Sequence, residues 1–590
     1  MTIDEAVQIA YQQHQAGRLA EAERIYRQVL AQQPGHGGAL CLLGALASQT
    51  GHWDAALDLI RRAVQINPDR AEAHYQMGIA LQGMGRLDDA IAAYRLAIEL
   101  KPDFAQAHNN LGIACKNLGQ VDEAVASLRQ ATLLKPDLAE THNNLGLVLH
   151  ELGRMDEAVA AYRQAIRFKP GYAAAHGAIL LAMHYQPTFD PRALLIESRQ
   201  WNRQHAEPLQ RFIQPHSNDR NPDRRLRIGY VSPDFCEHAV SRFTLPLLAA
   251  HDHGAFEIFG YAQVPVPDGV TAKLKACCDS WRSIVGVGDE GAANMIRQDR
   301  IDILIDLAGH TSDNRLLVFA HKPAPVQATW LGYPGTTGLS AMDYRFTDAN
   351  ADPPGVTDEF CSERLIRLPR TNWCFEPPDD APSVNPGAPG PAIAQQRVTF
   401  GCFNNFAKMN EPALKLWARI LQAAPGSKLL LKAKVLGCAS VQQRVRKVMS
   451  EAGIEPERVE LLGWVPSSDH LAQYHRVDVA LDTYPYNGTT TTCEAFWMGV
   501  PVVSLAGESH VSRVGASLLC NVGLPELIAQ TQEQYVRIAA DLANDLPRLA
   551  ELRRTLRPRM QASPLMDGPR FARDVENACR QMWRDWCERT

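Results

Sequence analysis

The chain has little that would place it in a membrane, in an oxidising compartment or on a nucleic acid. Its 13 cysteines include no C-x-x-C pair, which suits neither a zinc ribbon nor a compact disulfide scaffold. No apolar run is long enough to cross a bilayer, and the acidic opening MTIDEAVQIAYQQ has no basic or apolar signal region. A net charge of −5 gives no bias towards polyanions. We therefore expect a protein of the reducing cytoplasm that binds neither membrane nor nucleic acid.

What the chain does have, in its first third, is a repeat. The full 590 residues are too many for one core, and small residues and prolines recur with a step of 34 residues. The phase-locked series are Pro34, Pro68, Pro102, Pro136 and Pro170; Gly17, Gly51, Gly85, Gly119 and Gly153; and Gly44, Gly78, Gly112 and Gly146. This period and punctuation predict tetratricopeptide helix-turn-helix repeats. The period fades after residue 186, so we expect a domain of about five repeats over residues 1–186.

Stacked repeats of this kind form a concave groove that typically receives an extended peptide. Asn110 and Asn144 recur one period apart, in AHNNLG and THNNLG. Side-chain amides at such positions can hydrogen-bond a peptide backbone without reading its sequence. We therefore expect these two asparagines to bind peptide, with plain solvated positions as the alternative.

After residue 225, short apolar strands alternate with helical stretches. One series runs from LRIGYVSPDF to YRFTD, and a second runs from VTFGCFNN to PVVSLAG. This alternation predicts two doubly wound α/β lobes that meet across a cleft. We expect a helical linker at 187–225, lobes at 226–375 and 398–590, and a linker rich in Pro, Ala and Gly at 376–397, with the second lobe ending in helices.

The stretch YPYNGTTTTCEAFWMG follows a short apolar strand and opens a helix. Threonine is β-branched, so four in succession are not explained by helix propensity. Hydroxyls together with the first free N–H groups of a helix form an anion site. The run therefore predicts a diphosphate cradle, with a simple N-cap as the alternative. Glu494, a few residues into the helix, could accept hydrogen bonds from a ribose diol.

Other polar residues follow strands of the second lobe. Asn405 and Lys408 come after the strand that ends at Cys402, and His470 follows the next strand but one. Each alone has a simpler explanation, such as a surface lysine or a helix-terminal histidine. Together with the threonine run, they predict a nucleotide-diphosphate site at the carboxyl ends of the strands.

The first lobe should then carry the acceptor chemistry. His238 lies in SPDFCEHAVSR, just beyond the first strand, and His310 lies in DLAGHTSDNR, after another strand. A single histidine is more often structural, but two in loops at the cleft edge favour a catalytic function. We therefore expect both histidines to border the cleft.

Several nucleotide-binding fingerprints are missing where they would indicate a function. No G-x-G-x-x-G follows the first strand and no G-x-x-x-x-G-K-[ST] occurs, which disfavours dinucleotide dehydrogenases and P-loop enzymes. No D-x-D occurs either, so a metal-bridged diphosphate is not indicated. We expect a site without metal or cofactor, in which a cation and a helix dipole bind the diphosphate.

Five motifs resemble those of the bacterial protein O-GlcNAc transferases and their Spindly-type relatives, in glycosyltransferase family 41. They are GYVSPDFCEH, KPAPVQATWLGYPGTTGLSAMDY, FGCFNNFAKMN, LLGWVPSSDH and LDTYPYNGTTTTCEAFWMGVPVV, in this order and with the repeats in front. The resemblance implies a tetratricopeptide superhelix followed by a two-lobed catalytic region of the GT-B fold. It also implies inverting, metal-independent transfer of a sugar from a nucleotide diphosphate to Ser or Thr hydroxyls of a polypeptide.

The resemblance also assigns site residues. The diphosphate-binding lysine of the family corresponds to Lys408, and the histidine near the acceptor corresponds to His238, which is one candidate for a disputed general base. The family's nucleotide contacts correspond to Asn405, Val465, Pro466, Ser467, His470, Gln473, Thr489, Thr490, Thr491 and Glu494.

Three positions bear on the donor. In animal O-GlcNAc transferases a histidine precedes two threonines in the loop equivalent to NGTTTT. Those enzymes also have GYT where this chain has GHT, at residues 309–311, and arginine where this chain has Gln473. At all three this chain is closer to the Spindly type, which uses GDP-fucose. UDP-GlcNAc is the expected donor because the bacterial relatives are generally assigned to it. GDP-fucose is the alternative donor, and a peptide-binding scaffold with weak or no transferase activity is the alternative function.

Overall fold

The structure, a computed structural model, describes residues 2–384, 392 and 397–588. Its contacts divide the chain into two compact units. The first comprises Met1–Leu152 and Ala160–Pro170, and the second comprises Gly153–Val159 and Gly171–Thr590. Within the described residues, no helix is both long enough and apolar enough to cross a membrane.

The first unit is built of helices that follow the predicted period. Their bounds are α1 Ile3–Gln15, α2 Leu19–Gln32, α3 Gly37–Gln49, α4 Trp53–Ile66, α5 Ala71–Gly83, α6 Leu87–Leu100, α7 Ala105–Leu118, α8 Val121–Leu134, α9 Ala139–Glu151 and α10 Met155–Phe168, of which the first turn belongs to the second unit. The helix pairs of the predicted tetratricopeptide repeats are confirmed. The glycines that end each first helix, such as Gly85 and Gly119, have positive φ angles, as a tight helix-to-helix turn requires.

Close packing within a repeat explains the second glycine series. A Cβ atom on Gly146 would lie 2.4 Å from the ring of Tyr162, and one on Gly78 would lie 2.4 Å from the ring of Tyr94. Both tyrosines are fully buried. The glycine on the first helix of a repeat thus makes room for a large side chain on the second.

A histidine ties the first helix of successive repeats to the preceding proline turn. In each case Nε2 donates to a proline carbonyl oxygen: His74 to Pro68 at 2.7 Å, His108 to Pro102 at 3.1 Å and His142 to Pro136 at 2.8 Å. A carbonyl can only accept, so these contacts fix the hydrogen on Nε2. The recurrence of His and Pro in the sequence therefore has a direct structural cause.

Beyond the first turn of α10, the second unit contains α11, Ala173–Met183, and α12, Pro191–Trp201, followed by a first parallel sheet in the order β3-β2-β1-β4-β5-β6-β7. Its elements are β1 Leu226–Ser232, α13 Ser241–Ala249, β2 Phe256–Ala262, α14 Gly269–Ala276, β3 Ser280–Ser283, α15 Asp289–Gln298, β4 Ile303–Asp306, α16 Leu316–Ala320, β5 Val326–Thr329, β6 Tyr344–Asp348 and β7 Arg364–Leu368. The predicted strands of the first lobe are all present.

A second parallel sheet follows, in the order β10-β9-β8-β11-β12-β13. Its elements are β8 Thr399–Cys402, α17 Glu411–Ala423, β9 Lys428–Lys432, α18 Ala439–Glu451, β10 Val459–Leu462, α19 Ser467–His470, β11 Val479–Leu481, α20 Thr490–Trp497, β12 Val502–Leu505, α21 Val514–Asn521, β13 Ile528–Ala529, α22 Gln532–Asn544, α23 Leu546–Gln561 and α24 Gly568–Cys587. In both sheets the order reverses beside the first strand, which creates a crevice at the carboxyl ends of the strands.

The last helix of the chain packs on the first sheet. Phe571, Val575 and Trp583 of α24 belong to the same buried cluster as Ile228 and Ile303 of that sheet. Inside this contact, the ring of His251 lies 2.8 Å from the Glu576 carboxylate. The two lobes are therefore linked by the C-terminal helices as well as by the segment between β7 and β8, of which residues 385–391 and 393–396 lie outside the described residues.

Candidate active site

The loop after β8 carries Lys408 on a short 3-10 turn, Phe406–Lys408. Asn405 caps this turn, since its side-chain oxygen accepts the Ala407 N–H at 3.0 Å. The Lys408 ammonium donates to the carbonyl oxygen of Asn487 at 2.9 Å and lies 3.8 Å from the ring centroid of Tyr486. The lysine is therefore held against the loop that precedes α20, as the strand-end rule predicts.

A buried carboxylate organises that loop. Asp482 accepts hydrogen bonds from the Gly488 N–H at 2.7 Å and from the Ser504 hydroxyl at 2.7 Å. Burial raises the pKa of Asp482 to about 6. Burial lowers the pKa of Lys408 to about 8, and Asp482 offsets part of that decrease. Near neutral pH the pair is a cation beside a carboxylate, with the cation at the helix start.

The four threonines do not act alike. Thr491 donates to the side-chain oxygen of Asn404 at 2.6 Å, and Thr492 donates to the carbonyl oxygen of Gly488 at 3.0 Å. Thr489 and Thr490 are half-buried, and they line a cavity together with Thr491. Two of the hydroxyls thus hold the loop, so the cradle predicted from the run rests on the other two and on the N–H groups at the start of α20.

This cavity is bordered by both lobes and has a volume of about 280 Å³. From the second lobe it is lined by Asn405, Lys408 and residues 489–491, and from the first lobe by His238 and Leu331. Leu331 has a φ of 75°, a strained conformation for a residue other than glycine, of a kind that clusters at functional sites. The structure therefore brings His238, Lys408 and the threonine run together.

His238 lies at the rim, with its side chain 47% exposed. Its Nδ1 lies 3.3 Å from the Val240 N–H, which it can accept, and 3.5 Å from the Asp234 carboxylate. Burial raises the pKa of Asp234, and His238 opposes that increase. The ring nitrogen that faces the loop therefore has both an N–H donor and a carboxylate within reach.

The expected cleft-edge position of His310 is wrong. Its side chain is buried, with 2% exposure, and its Nε2 donates to the carbonyl oxygen of Thr337 at 2.7 Å. The ring packs edge-on against Trp201 of α12 and against Tyr333. Burial also lowers its pKa to about 4. The linker helices cover this histidine, which the sequence of the loop alone does not reveal.

The remaining predicted nucleotide contacts lie after β10 and on α20. His470 Nε2 lies 3.0 Å from the Glu494 carboxylate, which confirms that these two residues are neighbours. Val465 is half-buried and Pro466 is exposed, while the side chain of Ser467 lies outside the described residues. Gln473 bonds within its own segment, donating to the carbonyl oxygen of Asp469 at 3.4 Å. Their roles toward a nucleotide stay predictions.

Sequence reasoning missed Lys432, Asn404 and Tyr486. Lys432 ends β9 and its ammonium contacts the His470 ring, while Tyr486 underlies Lys408. The signal for Lys432 was its position at the carboxyl end of a strand, the same rule that located Lys408.

In the first unit, the predicted peptide-binding asparagines form a chain of amides. Asn144 donates to the side-chain oxygen of Asn109 at 3.1 Å, Asn109 donates to Asn110 at 3.0 Å, and Asn110 donates to the Tyr75 hydroxyl at 3.3 Å. The amides are half-buried, so part of each is still accessible. Peptide binding at Asn110 and Asn144 stays a prediction.

Over residues 2–384, 392 and 397–588, no group of three His, Cys, Asp or Glu side chains is arranged to hold a metal ion.

Comparison with known proteins adds independent information. The family model described as Glycosyl transferase family 41 matches residues 204–376 and 391–575, and tetratricopeptide repeat models match residues 13–81, 83–119 and 116–173. A solved structure of a Thermobaculum terrenum O-GlcNAc transferase mutant superposes with a TM-score of 0.81 at 38% identity, covering 88% of this chain and 98% of that one. The fold is therefore that of a repeat domain followed by a two-lobed α/β glycosyltransferase.

Two curated relatives are named as peptide N-acetylglucosaminyltransferases. The probable UDP-N-acetylglucosamine–peptide N-acetylglucosaminyltransferase SPINDLY of Solanum lycopersicum is 43% identical over 395 residues, which are 66% of this chain and 42% of that protein. The UDP-N-acetylglucosamine–peptide N-acetylglucosaminyltransferase of Caenorhabditis elegans is 27% identical over 476 residues, covering 61% of this chain and 41% of that protein. The matched region spans about two fifths of these relatives. Because the family model spans most of the second unit and a bacterial relative aligns over nearly its whole length, the chain belongs to glycosyl transferase family 41, the O-GlcNAc transferase and Spindly family.

Proposed function

We propose that this chain transfers N-acetylglucosamine from UDP-GlcNAc to Ser or Thr hydroxyls of proteins, with inversion and without a metal ion. The observation that carries the proposal is that His238 of the first lobe and Lys408 with residues 489–491 of the second lobe line one cavity. The names of the relatives support the donor and the acceptor class, since both are named as UDP-N-acetylglucosamine–peptide N-acetylglucosaminyltransferases, the first of them as a probable one.

The leaving group is the first chemical requirement. When the bond from the anomeric carbon to the phosphate oxygen breaks, its electron pair leaves with UDP, so negative charge grows on the diphosphate. The Lys408 ammonium, which lies against the loop before α20, and the N–H groups at the start of that helix would stabilise that charge. The chain itself supplies this positive charge, which is why no metal is invoked.

The acceptor is the second requirement. The hydroxyl oxygen forms the new bond to the anomeric carbon on the face opposite to UDP, which inverts the configuration, and its proton passes to a base. His238 can accept that proton on Nε2 only if Nδ1 carries the ring hydrogen. In the structure Nδ1 instead accepts the Val240 N–H at 3.3 Å. The role of base therefore requires the ring to move its Nδ1–H toward the Asp234 carboxylate, which lies 3.5 Å away, and Asp234 would then orient the base.

Protein acceptors also need a place to bind. In the first unit, the amides of Asn110 and Asn144 are spaced one repeat apart along neighbouring helices. We therefore assign the recognition of an extended acceptor chain to the groove of the repeats, through backbone hydrogen bonds to these amides.

Calorimetric titration with UDP and then with GDP, each without and with EDTA, tests the proposal. We expect UDP to bind and GDP to bind at least tenfold more weakly. In Lys408→Met, UDP binding should weaken by about 10- to 100-fold, because a charge-assisted contact to the diphosphate is lost. Lys415→Met is the matched control, since Lys415 is an exposed lysine on α17 that pairs with Glu411, and its UDP affinity should not change.

The opposite results are equally informative. Preferential binding of GDP would move the donor to GDP-fucose, as the Spindly-like positions allow. Binding of neither nucleotide would refute a transferase and favour a peptide-binding scaffold. Binding of UDP that disappears with EDTA would refute the metal-free site.

A further inference from the structure

Three polar side chains form a line from the end of β9 to helix α20. Lys432, the last residue of β9, contacts Nδ1 of His470 through its ammonium group. Nε2 of the same ring lies 3.0 Å from a carboxylate oxygen of Glu494. The line therefore joins three separate elements: a strand end, the short helix α19 and the first turns of α20.

The Lys432 ammonium and the Glu494 carboxylate determine which ring nitrogen of His470 carries a hydrogen. An ammonium can only donate, so Nδ1 of His470 accepts. An ionised carboxylate can only accept, so Nε2 of His470 carries the hydrogen and donates it to Glu494. In this arrangement the imidazole is neutral, with its hydrogen on Nε2, and both contacts require this tautomer.

The surroundings suit a group that orients others. Lys432 is half-buried, and its ammonium lies 5.7 Å from the ring centroid of Phe403. Burial lowers the pKa of Lys432, and Glu494 offsets part of that decrease. The Glu494 side chain is 15% exposed, and within the described part of the chain its other oxygen, Oε1, accepts no hydrogen bond.

We propose that Lys432 is a positioning residue of the nucleotide site: through the tautomer of His470, it turns the Glu494 carboxylate so that its second oxygen receives the ribose diol. The inference rests on the proposed function for the identity of the ligand. The tautomer of His470 is a property of the protein without a bound nucleotide, so it can be tested separately.

The affinity test compares UDP with 2′-deoxy-UDP by calorimetry. Wild-type protein should bind UDP about tenfold more tightly than 2′-deoxy-UDP, because a hydroxyl contact to a carboxylate is lost. In Lys432→Met this discrimination should fall to about twofold or less. Lys432→Arg, which keeps a donor-only cation, should retain most of it. Lys428→Met is the matched control, because Lys428 begins the same strand at the end away from the site, and it should discriminate as wild type does.

A spectroscopic test needs no nucleotide. In protein labelled with ¹⁵N-histidine, the His470 signals, assigned by their loss in His470→Gln, should show hydrogen on Nε2 and none on Nδ1, and Lys432→Met should change that pattern. Hydrogen on Nδ1 in the wild type would overturn the inference, and so would unchanged discrimination in Lys432→Met. If wild-type protein bound neither UDP nor GDP, the proposed function would fail, and the tautomer would still decide whether Lys432 sets the state of His470.

Discussion

At the scale of single residues, the charge on Lys408 should have a measurable pH signature. Burial lowers its pKa to about 8, so the ammonium is present below that value and is lost as the pH rises through it. A diphosphate is bound by the ammonium and not by the neutral amine. We expect the dissociation constant for UDP to be constant near neutral pH and to rise above pH 8 by up to about tenfold per unit, measured by calorimetry.

Lys408→Arg supplies the control for this pH dependence. A guanidinium stays charged throughout the range, so the rise above pH 8 should disappear even if the overall affinity is lower. A rise of the same size in Lys408→Arg would assign the titration to another group.

The rule that ligands meet the carboxyl ends of parallel strands predicted the positions of Lys408 and His470 and of the threonine run. The same rule was misleading for His310, because a loop at a strand end can be covered by another part of the chain, here by Trp201 of α12. The rule also does not show which threonine hydroxyls of the run can contact a ligand. Only the distances in the structure show that the hydroxyls of Thr491 and Thr492 already form hydrogen bonds within the protein.

At the scale of elements, the repeat glycines give a direct stability prediction. Gly146→Ala places a Cβ atom 2.4 Å from the ring of Tyr162, and the buried ring must move. We expect a loss of about 1–3 kcal/mol from overpacking, reduced by the better helix propensity of alanine, which is worth about 1 kcal/mol. Thermal melting of the full chain, together with hydrogen exchange of α9, measures the effect.

The control for this prediction is Gly35→Ala, in a turn of the same unit where a Cβ atom would meet nothing within 4 Å. Its melting should match the wild type. The double variant Gly146→Ala with Tyr162→Ala should exchange no faster in α9 than Tyr162→Ala alone, because the clash is gone. An equal loss in both backgrounds would show that the tyrosine is not the reason for the glycine.

Strands were predicted best where they are central. The stretches FEIFGYA and YRFTD coincide with β2 and β6, and DVALD contains β11. Each of these strands pairs on both sides within its sheet. The strands that were not predicted, β3, β7 and β13, lie at the edges of their sheets. An edge strand pairs on one side only and is partly exposed, as in the SWRS sequence of β3, so little in its composition distinguishes it from a loop.

At the scale of the whole molecule, the sequence predicted a repeat domain followed by two α/β lobes, but the domain limits stay predictions. The period suggests a repeat domain up to residue 186, whereas the contacts assign Gly153–Val159 and everything from Gly171 onward to the second unit. A sequence period predicts which residues have equivalent positions in the repeats, but it does not predict which residues each helix contacts. The helix α11 keeps the histidine of the repeat, His176, but that ring lies 3.1 Å from His205 instead of bonding a proline turn.

The arrangement of the C-terminal helix couples the last residues of the chain to the first lobe. Trp583 of α24 is fully buried against the first sheet, and its indole N–H donates to the carbonyl oxygen of Asn221 at 3.2 Å. Trp583→Ala should therefore lower the stability of the first lobe by about 3–5 kcal/mol. Trp586→Ala, which removes a partly buried ring that stacks on Trp583 at 4.8 Å, should cost clearly less.

Scanning calorimetry with and without UDP separates the consequences for the two lobes. UDP is proposed to bind groups of the second lobe, so it should raise the unfolding temperature of that lobe in the wild type and in Trp583→Ala alike. At temperatures where the first lobe of Trp583→Ala has unfolded and the second lobe has not, the protein should still bind UDP. It should no longer transfer sugar, because the loop of His238 follows β1 of the first sheet. If Trp583→Ala unfolded in a single transition and lost UDP binding at the same temperature, the two lobes would fold as one cooperative unit. The last helix would then stabilise both sides of the cavity.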